Sequence, residues 1–290
     1  MEKIGSFLFA GGDERQLYAA DKLKKMEYET AATGFEKYYG AVPYKAESAE
    51  NAYLYDAVVI PLPLTRDGEN INAPFSENKI SIKSLSEFVG KEKSVFGGKM
   101  SDDIKKFFSE NKIYDCYSRE DFQLLNSVPT AEGIAEIALR ELPITVNGAT
   151  VVVFGFGRTG KAIGELFKAM GADVTIGARR ASVLAEAEKR GFKTVNISDD
   201  FDIPEKIRMA VNTVPAEIIS EKHIKQLKGC LYAEAASAPY GTDLEKARAA
   251  GVNVILASGL PGKIAPESAG EIIAKTIINT VTVSYTHLTL

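Results

Sequence analysis

Val151-Val-Val-Phe-Gly155-Phe-Gly157-Arg158-Thr159-Gly160, followed by Val174-Thr-Ile-Gly-Ala178-Arg179-Arg180, decides the fold of this chain. The first stretch reads as a buried strand running through a Gly-x-Gly-x-x-Gly turn into a helix, the context in which that spacing binds a dinucleotide. Gly155 permits the tight turn, Gly157 lets the backbone approach a pyrophosphate, and Gly160 lets helix and strand pack closely. The first helical amides, around Arg158 and Thr159, then face the phosphates. The second stretch carries the selectivity. An NAD site ends its second strand on a carboxylate that holds the ribose hydroxyl; here Ala178 stands there, followed by Arg179 and Arg180. That pattern favours a 2′-phosphate, hence NADP(H). A flavin site or a purely structural turn is the plainer alternative.

Working outward, 290 residues suffice for two modest domains. Hydrophobic residues make up 45% and charged residues 26%, ordinary values for a globular protein. A net charge of −4 with scattered basic residues gives no case for nucleic acid. Met1-Glu-Lys-Ile lacks a basic stretch followed by an apolar run, so no secretory signal is expected. No run of about eighteen apolar residues suggests a membrane span. Cys116 and Cys230, far apart and outside any Cys-x-x-Cys, read as buried free thiols. His223 and His287 have no metal-ligand spacing, so no metal site is expected. His223 lies in the polar stretch Ser220-Glu-Lys-His-Ile-Lys-Gln and is expected to be solvated.

Alternating strand and helix patterns imply an α/β fold: two Rossmann-like, doubly wound parallel sheets. Residues 1–128 form the first domain, with strands at Ile4–Ala10, Asp56–Leu62, Ser94–Phe96 and Ile113–Tyr117. Its helices are expected at Glu14–Lys25, Ser84–Val89, after Ser101, and from about Arg119. Residues 129–144 read as a linker helix stopped by Pro143. The dinucleotide domain spans 145–265, with strands near 150–154, 173–177, 208–213, 230–235 and 252–257. A final helix over 266–283 is expected to pack back on the first domain. Residues 284–290 abandon the helical pattern for β-prone residues and read as a non-native or disordered tail.

Ligands in such sheets lie beyond the carboxyl ends of the strands, so the substrate is expected between the domains. Several junctions there could carry chemistry. Gly11-Gly12-Asp13-Glu14-Arg15-Gln16 offers turn amides and a guanidinium to an anion, with Gly12 and Arg15 the first candidates; an ordinary tight turn is the bland reading. Thr130 opens the linker helix as a binding residue or a simple cap. Asn212-Thr213-Val214-Pro215 ends a strand where a nicotinamide ribose would pass. Glu234 sits inside an apolar strand, where a carboxylate must be paired or proton-shifted, with Ser237 in the loop beyond. Lys99, after Gly97-Gly98, is the one tempting lysine, and Glu234 the candidate base, with structural pairing the plainer reading of that carboxylate.

Together, Gly-Gly-Asp-x-Arg-Gln, Asn-Ser-x-Pro-Thr-x-Glu-Gly, Gly-Phe-Gly-Arg-Thr-Gly, Gly-Ala-Arg, Asn-Thr-Val-Pro and Gly-Leu-Pro-Gly-x-x-Ala-Pro resemble the A-subunit family of dipicolinate synthases, from about residue 5 to 280. Each motif alone is weak. One departure is Ala236-Ser-Ala-Pro-Tyr-Gly-Thr-Asp243, where the family carries Arg before the proline and Gly in place of Tyr240. The resemblance implies NADP-dependent oxidation of a cyclic dihydro- or hydroxytetrahydro-dipicolinate to the aromatic dicarboxylate during sporulation. It further implies work beside a flavoprotein-like B-subunit in the mother-cell cytoplasm, and leaves self-association open. Two other enzyme types share the plan. A 2-hydroxyacid dehydrogenase needs a cleft histidine paired with an acid, and a shikimate-dehydrogenase-like enzyme needs a catalytic Lys and Asp in the first domain. A different class is a cofactor-binding scaffold whose partner does the chemistry.

Overall fold

The computed structural model describes residues 4–198 and 200–286. It divides into two compact units: residues 1–126 with 265–290, and Ser127–Ile264.

The first unit is a five-stranded, all-parallel sheet in the order β2-β1-β3-β4-β5, a doubly wound arrangement. Its elements run β1 (Ser6–Ala10), α1 (Glu14–Lys25), β2 (Glu29–Thr33), β3 (Ala57–Val59), α2 (Ile82–Val89), β4 (Ser94–Gly97), α3 (Asp102–Phe107) and β5 (Lys112–Asp115). Both faces of the sheet are buried. Phe7 and Phe9 point into one core with Leu17, Leu23 and Ile277; Leu8 and Ala10 point into the other with Val58, Leu85 and Val95. That is why these strands read as continuous apolar runs. Asp13 caps α1 through the Arg15 amide, Glu14 lies in the first turn and Lys22, Lys24 and Lys25 in the last, matching the helix dipole at both ends.

Helix α4 (Glu120–Glu141) is one continuous helix. The sequence suggested a break at Pro129 and a separate linker helix; instead Pro129 lies inside. Proline removes a single amide donor there, and buried neighbours such as Ile134, Ile137 and Ala138 hold the helix through it. Thr130 is therefore a helix-interior residue and not a cap.

The second unit continues with β6 (Thr150–Phe154), α5 (Arg158–Ala169), β7 (Asp173–Ala178), α6 (Ala181–Lys189), β8 (Lys193–Asn196), β9 (Met209–Asn212), α7 (Glu221–Gln226), β10 (Leu231–Glu234), α8 (Leu244–Ala249), β11 (Asn253–Leu256) and α9 (Leu260–Ile264). Its six parallel strands run β11-β10-β9-β6-β7-β8, the dinucleotide-binding order in which the direction reverses between β6 and β9. Val151 and Val153 face one core with Ile163 and Phe167, while Val152 and Phe154 face the other with Phe201, Ile224 and Tyr232.

Helix α10 (Pro266–Thr286) belongs to the first unit and packs along α1, with Ile273, Ala274 and Ile277 beside Ala19, Ala20 and Leu23. Gly270 makes the approach close: a Cβ there would stand 2.6 Å from the Arg15 carbonyl oxygen. The helix runs three residues past the expected end at 283, and His287 with the rest of the tail lies outside the described residues.

Strands β2 and β8 have no clear sequence signature. Glu29-Thr-Ala-Ala-Thr33 is carried by two alanines and Lys193-Thr-Val-Asn196 by a single valine, too little apolar signal for a strand pattern. His223 corrects the expectation of a solvated side chain. It is 4% exposed, accepts the Ser220 amide at Nδ1 (3.0 Å), donates from Nε2 to the Phe201 carbonyl (2.9 Å) and stacks on the Phe201 ring at 4.0 Å. A carbonyl can only accept and an amide N–H can only donate, so the two contacts match an acceptor at Nδ1 and a donor at Nε2.

Candidate dinucleotide site and strand-end turns

The reversal between β6 and β9 brings the glycine-rich turn against the Asn212-Thr213 turn. Gly155 has φ +94°, and a Cβ there would strike the Thr213 side chain. Thr213 Oγ1 donates to the Phe154 carbonyl at 2.8 Å, locking the two turns together. A Cβ on Gly160 would overlap the Gly155 carbonyl oxygen, so the helix can sit this close to the strand only as glycine. Gly157 differs: nothing lies within 4 Å of its built Cβ, and it caps α5 without a side-chain hydrogen bond. The turn is therefore tight where it meets protein and open where a pyrophosphate would approach. The first amides of α5 stand there without intrahelical acceptors, beside half-buried Thr159 and exposed Arg158.

Beside the turn lies a cleft of about 260 Å³. Gly155, Gly157, Ala178, Arg179 and Arg180 line it, with apolar walls from Val214 of the Asn-Thr-Val-Pro turn and from Val183 and Ile197, which motif reading missed. Ile197 follows β8, and Val183 sits one turn into α6, so neither had a sequence signature. Arg179 and Arg180 are exposed, and neither guanidinium meets a carboxylate among the described residues. The next acidic side chain along the chain, Glu186, is held by Lys161 at 2.8 Å and by Arg190. Among the described residues the cleft rim is thus cationic with no acid paired to its arginines, and a phosphate-bearing nucleotide fits it.

Asn212 and Pro215 are not in the cleft wall. Asn212 is fully buried; its Nδ2 donates to the Val214 carbonyl (2.9 Å) and to Glu234 (2.8 Å), and its Oδ1 accepts the Val214 amide (3.0 Å). It shapes the turn from inside, while Pro215 is exposed beyond it.

Glu234 corrects the candidate base. Its carboxylate is fully buried and accepts from Asn212 Nδ2, the Tyr232 hydroxyl (3.0 Å), and the amides of Ala236 (3.0 Å) and Gly241 (2.9 Å). Burial, and then the charge of Glu234, push the Tyr232 phenol far above its ordinary range and keep it a donor. Four donors saturate both oxygens, which ties β9, β10 and the 235–241 loop together and leaves nothing to accept a substrate proton. Ser237 lies exposed on that loop.

In the first unit, Gly12, Arg15 and Lys99 share the carboxyl edge of one parallel sheet. The amides of Gly11 and Gly12 are already spent on the carbonyls of Thr33 (2.9 Å) and Asn72 (2.7 Å). The expectation that this turn donates amides to an anion is therefore corrected. Arg15 remains a candidate. Its Nε and Nη2 grip Asp13 at 2.7 and 2.8 Å, Nη2 also reaches the Leu62 carbonyl at 2.7 Å, and Nη1 is left over. Lys99 has φ +57° and donates its amide to Asp115 at 3.4 Å. Thr130, half-buried inside α4, belongs to the other unit. Both thiols are buried, and burial pushes Cys116 and Cys230 up to about 12. Among the described residues no helix is long and apolar enough to cross a membrane.

Comparison with known proteins agrees with this architecture. Residues 6–116 match the family described as the N-terminal domain of the dipicolinate synthase A-subunit, and residues 145–279 match the acetohydroxy acid isomeroreductase NADPH-binding domain. The dipicolinate synthase A-subunit of Bacillus subtilis (strain 168) is 29% identical over 282 residues, covering 92% of each chain. Among solved structures, the dipicolinate synthase A-subunit from Bacillus halodurans has a TM-score of 0.85 at 26% identity, covering 97% of this chain and 99% of that one. Its Bacillus subtilis counterpart gives 0.81 at 25%, covering 98% of each. A transhydrogenase from Sinorhizobium meliloti, 12% identical with a TM-score of 0.66 over 94% of this chain and 92% of that one, shares the fold alone. Residues 6–116 thus belong to the N-terminal domain family of dipicolinate synthase A-subunits, and along nearly its whole length the chain is a relative of those proteins with a dehydrogenase-like NAD(P)-binding fold.

Proposed function

We propose that this chain is an NADP-dependent oxidoreductase that converts a cyclic dihydro- or hydroxytetrahydro-dipicolinate to dipicolinate in the cytoplasm of a sporulating mother cell. The observation that carries the cofactor choice is the rim at the end of β7: Ala178 where a carboxylate would stand, and two arginines without an acidic partner among the described residues. Similarity to a domain described as NADPH-binding supports the same choice. When bound, the nicotinamide supplies a hydride acceptor. The protein's part is to seat the pyrophosphate on the open Gly157 turn and α5, to hold the 2′-phosphate with Arg179 and Arg180, and to present cationic donors such as Arg15 to a dianionic substrate. Loss of hydride from the ring is matched by loss of one proton, and a hydroxytetrahydro substrate also sheds its hydroxyl with a ring proton as water. With Glu234 closed off, that proton passes to solvent, and aromatisation supplies the drive.

The relatives are named as one of several subunits of a synthase, which supports a partner protein beside this one; by resemblance that partner is flavoprotein-like. Closure of Glu234 also favours a second reading, in which this chain binds the cofactor and the partner does the chemistry. Titrating the purified chain and its Arg179→Ala variant with NADPH and NADH tests the first step. Preference for NADPH that vanishes in the variant supports the phosphate clamp, and equal affinity for both nucleotides refutes it. Turnover of dihydrodipicolinate by the chain alone then separates enzyme from scaffold.

A further inference from the structure

Arg66 lies seven residues beyond β3, in the loop that follows Leu62-Pro63-Leu64. Of the three arginines in the first unit, Arg15 grips Asp13 and Arg119 grips Asp121, whereas Arg66 meets no carboxylate among the described residues. Its neighbour Asp67 is not available to it. Asp67 accepts the amides of Glu69 and Asn70, the Asn70 side chain and the Thr65 hydroxyl, and pairs with Lys79 at 3.5 Å, which together hold it strongly ionised and turned into its own loop. Arg66 is nevertheless positioned. Its Nε donates to Asn72 Oδ1 at 3.2 Å, a neutral acceptor that orients the guanidinium without cancelling its charge.

Asn72 ties this guanidinium to the strand-end turn that holds Arg15. The Asn72 carbonyl accepts the Gly12 amide at 2.7 Å, and the Asn72 amide donates to the Leu64 carbonyl at 2.7 Å. Two residues earlier, the Leu62 carbonyl accepts from Arg15 at 2.7 Å. One short segment, Leu62 to Asn72, therefore carries both guanidinium anchors, at the β1–β3 reversal where ligands of such sheets lie. A dianion bound beside Arg15 alone meets a charge that Asp13 has already balanced. The second charge has to come from elsewhere, and Arg66 offers an unbalanced one with both Nη groups unspent.

We infer that Arg66 binds the second carboxylate of a pyridine- or dihydropyridine-dicarboxylate whose first carboxylate is taken by the leftover Nη1 donors of Arg15. This inference rests on the substrate reading proposed above and names the residue that makes the site selective for a dicarboxylate over a monocarboxylate.

Calorimetric titration of the full chain and its Arg66→Ala and Arg66→Lys variants with pyridine-2,6-dicarboxylate and pyridine-2-carboxylate tests it. Arg66→Ala should weaken the dicarboxylate by about tenfold or more and leave the monocarboxylate within about twofold, since one charge-assisted fork is lost. Arg66→Lys should recover part of the loss, because charge returns without the fork. Unchanged dicarboxylate affinity in Arg66→Ala, or equal loss for both ligands, overturns the inference while leaving the substrate reading intact. Failure of the unsubstituted chain to bind the dicarboxylate overturns that reading, and this inference with it.

Discussion

Glu234 and Asn212 face each other in register on β10 and β9, and Asn212 Nδ2 donates to Glu234 Oε1 at 2.8 Å in a fully buried setting. The pair anchors the two turns that leave the sheet next to the reversal point. Removing the carboxylate strands four donors at once: the Asn212 amide, the Tyr232 hydroxyl and the amides of Ala236 and Gly241. Glu234→Ala should therefore cost about 3–5 kcal/mol, the scale for breaking a buried charged network from one side. Urea unfolding followed by circular dichroism measures it. A loss below about 1 kcal/mol would show that the cluster is not a structural tie.

The fingerprint glycines should separate by what they touch. Gly160→Ala drives a Cβ into the Gly155 carbonyl, a backbone atom that cannot move without shifting the turn. Gly157→Ala meets nothing within 4 Å and leaves φ at −77°, which any residue tolerates. Gly160→Ala is thus expected to lower the melting temperature, whereas Gly157→Ala should melt normally and lose cofactor affinity because its methyl occupies the phosphate approach. Differential scanning fluorimetry with and without NADPH distinguishes them. Equal melting temperatures for the two variants would contradict the division of roles.

What the sequence reveals of this molecule depends on the kind of signal each residue gives. The strand–turn–helix at Val151–Gly160 and the arginines after β7 are legible because their roles are local: a turn, a helix start, a strand end. Glu234 is legible only as a buried carboxylate, since its donors come from β9, its own strand and a loop seven residues on. The Gly11–Gly12 turn misleads for the same reason. Glycines announce a turn, but the carbonyls that consume their amides belong to Thr33 and Asn72, which nothing local brings near. Arg66 carries no motif at all. Its meaning comes from Asp67 turning away and Asn72 turning toward it, two side-chain choices that spacing does not encode.

The two thiols should be inert in the folded chain. Burial pushes both Cys116 and Cys230 up to about 12, so the thiolate is scarce near neutrality and the sulfurs are also out of reach. An alkylating reagent at pH 8 should label both only when denaturant is added. The sign of the linkage follows. The unfolded thiols ionise near pH 9 while the folded ones hold their protons, so stability is full below that pH and falls progressively as pH rises from about 9 toward 12. Rapid native labelling of either cysteine, followed by mass spectrometry, would contradict the burial.

His223 is the remaining place where a chemically suggestive residue does structural work. Its ring accepts the Ser220 amide, donates to the Phe201 carbonyl and stacks on the Phe201 ring, filling at the start of α7 the place that Glu or Gln takes in a capping box. His223→Ala removes both hydrogen bonds and the stacked face, for an expected loss of about 2–3 kcal/mol. His223→Gln keeps an acceptor for the Ser220 amide and a donor for Phe201, so it should recover about half of that loss. A histidine engaged in hydride chemistry would behave otherwise: both variants would abolish turnover whatever their stability. We expect turnover per folded molecule to stay within about twofold of the unsubstituted chain, because each ring nitrogen is already committed to a backbone partner.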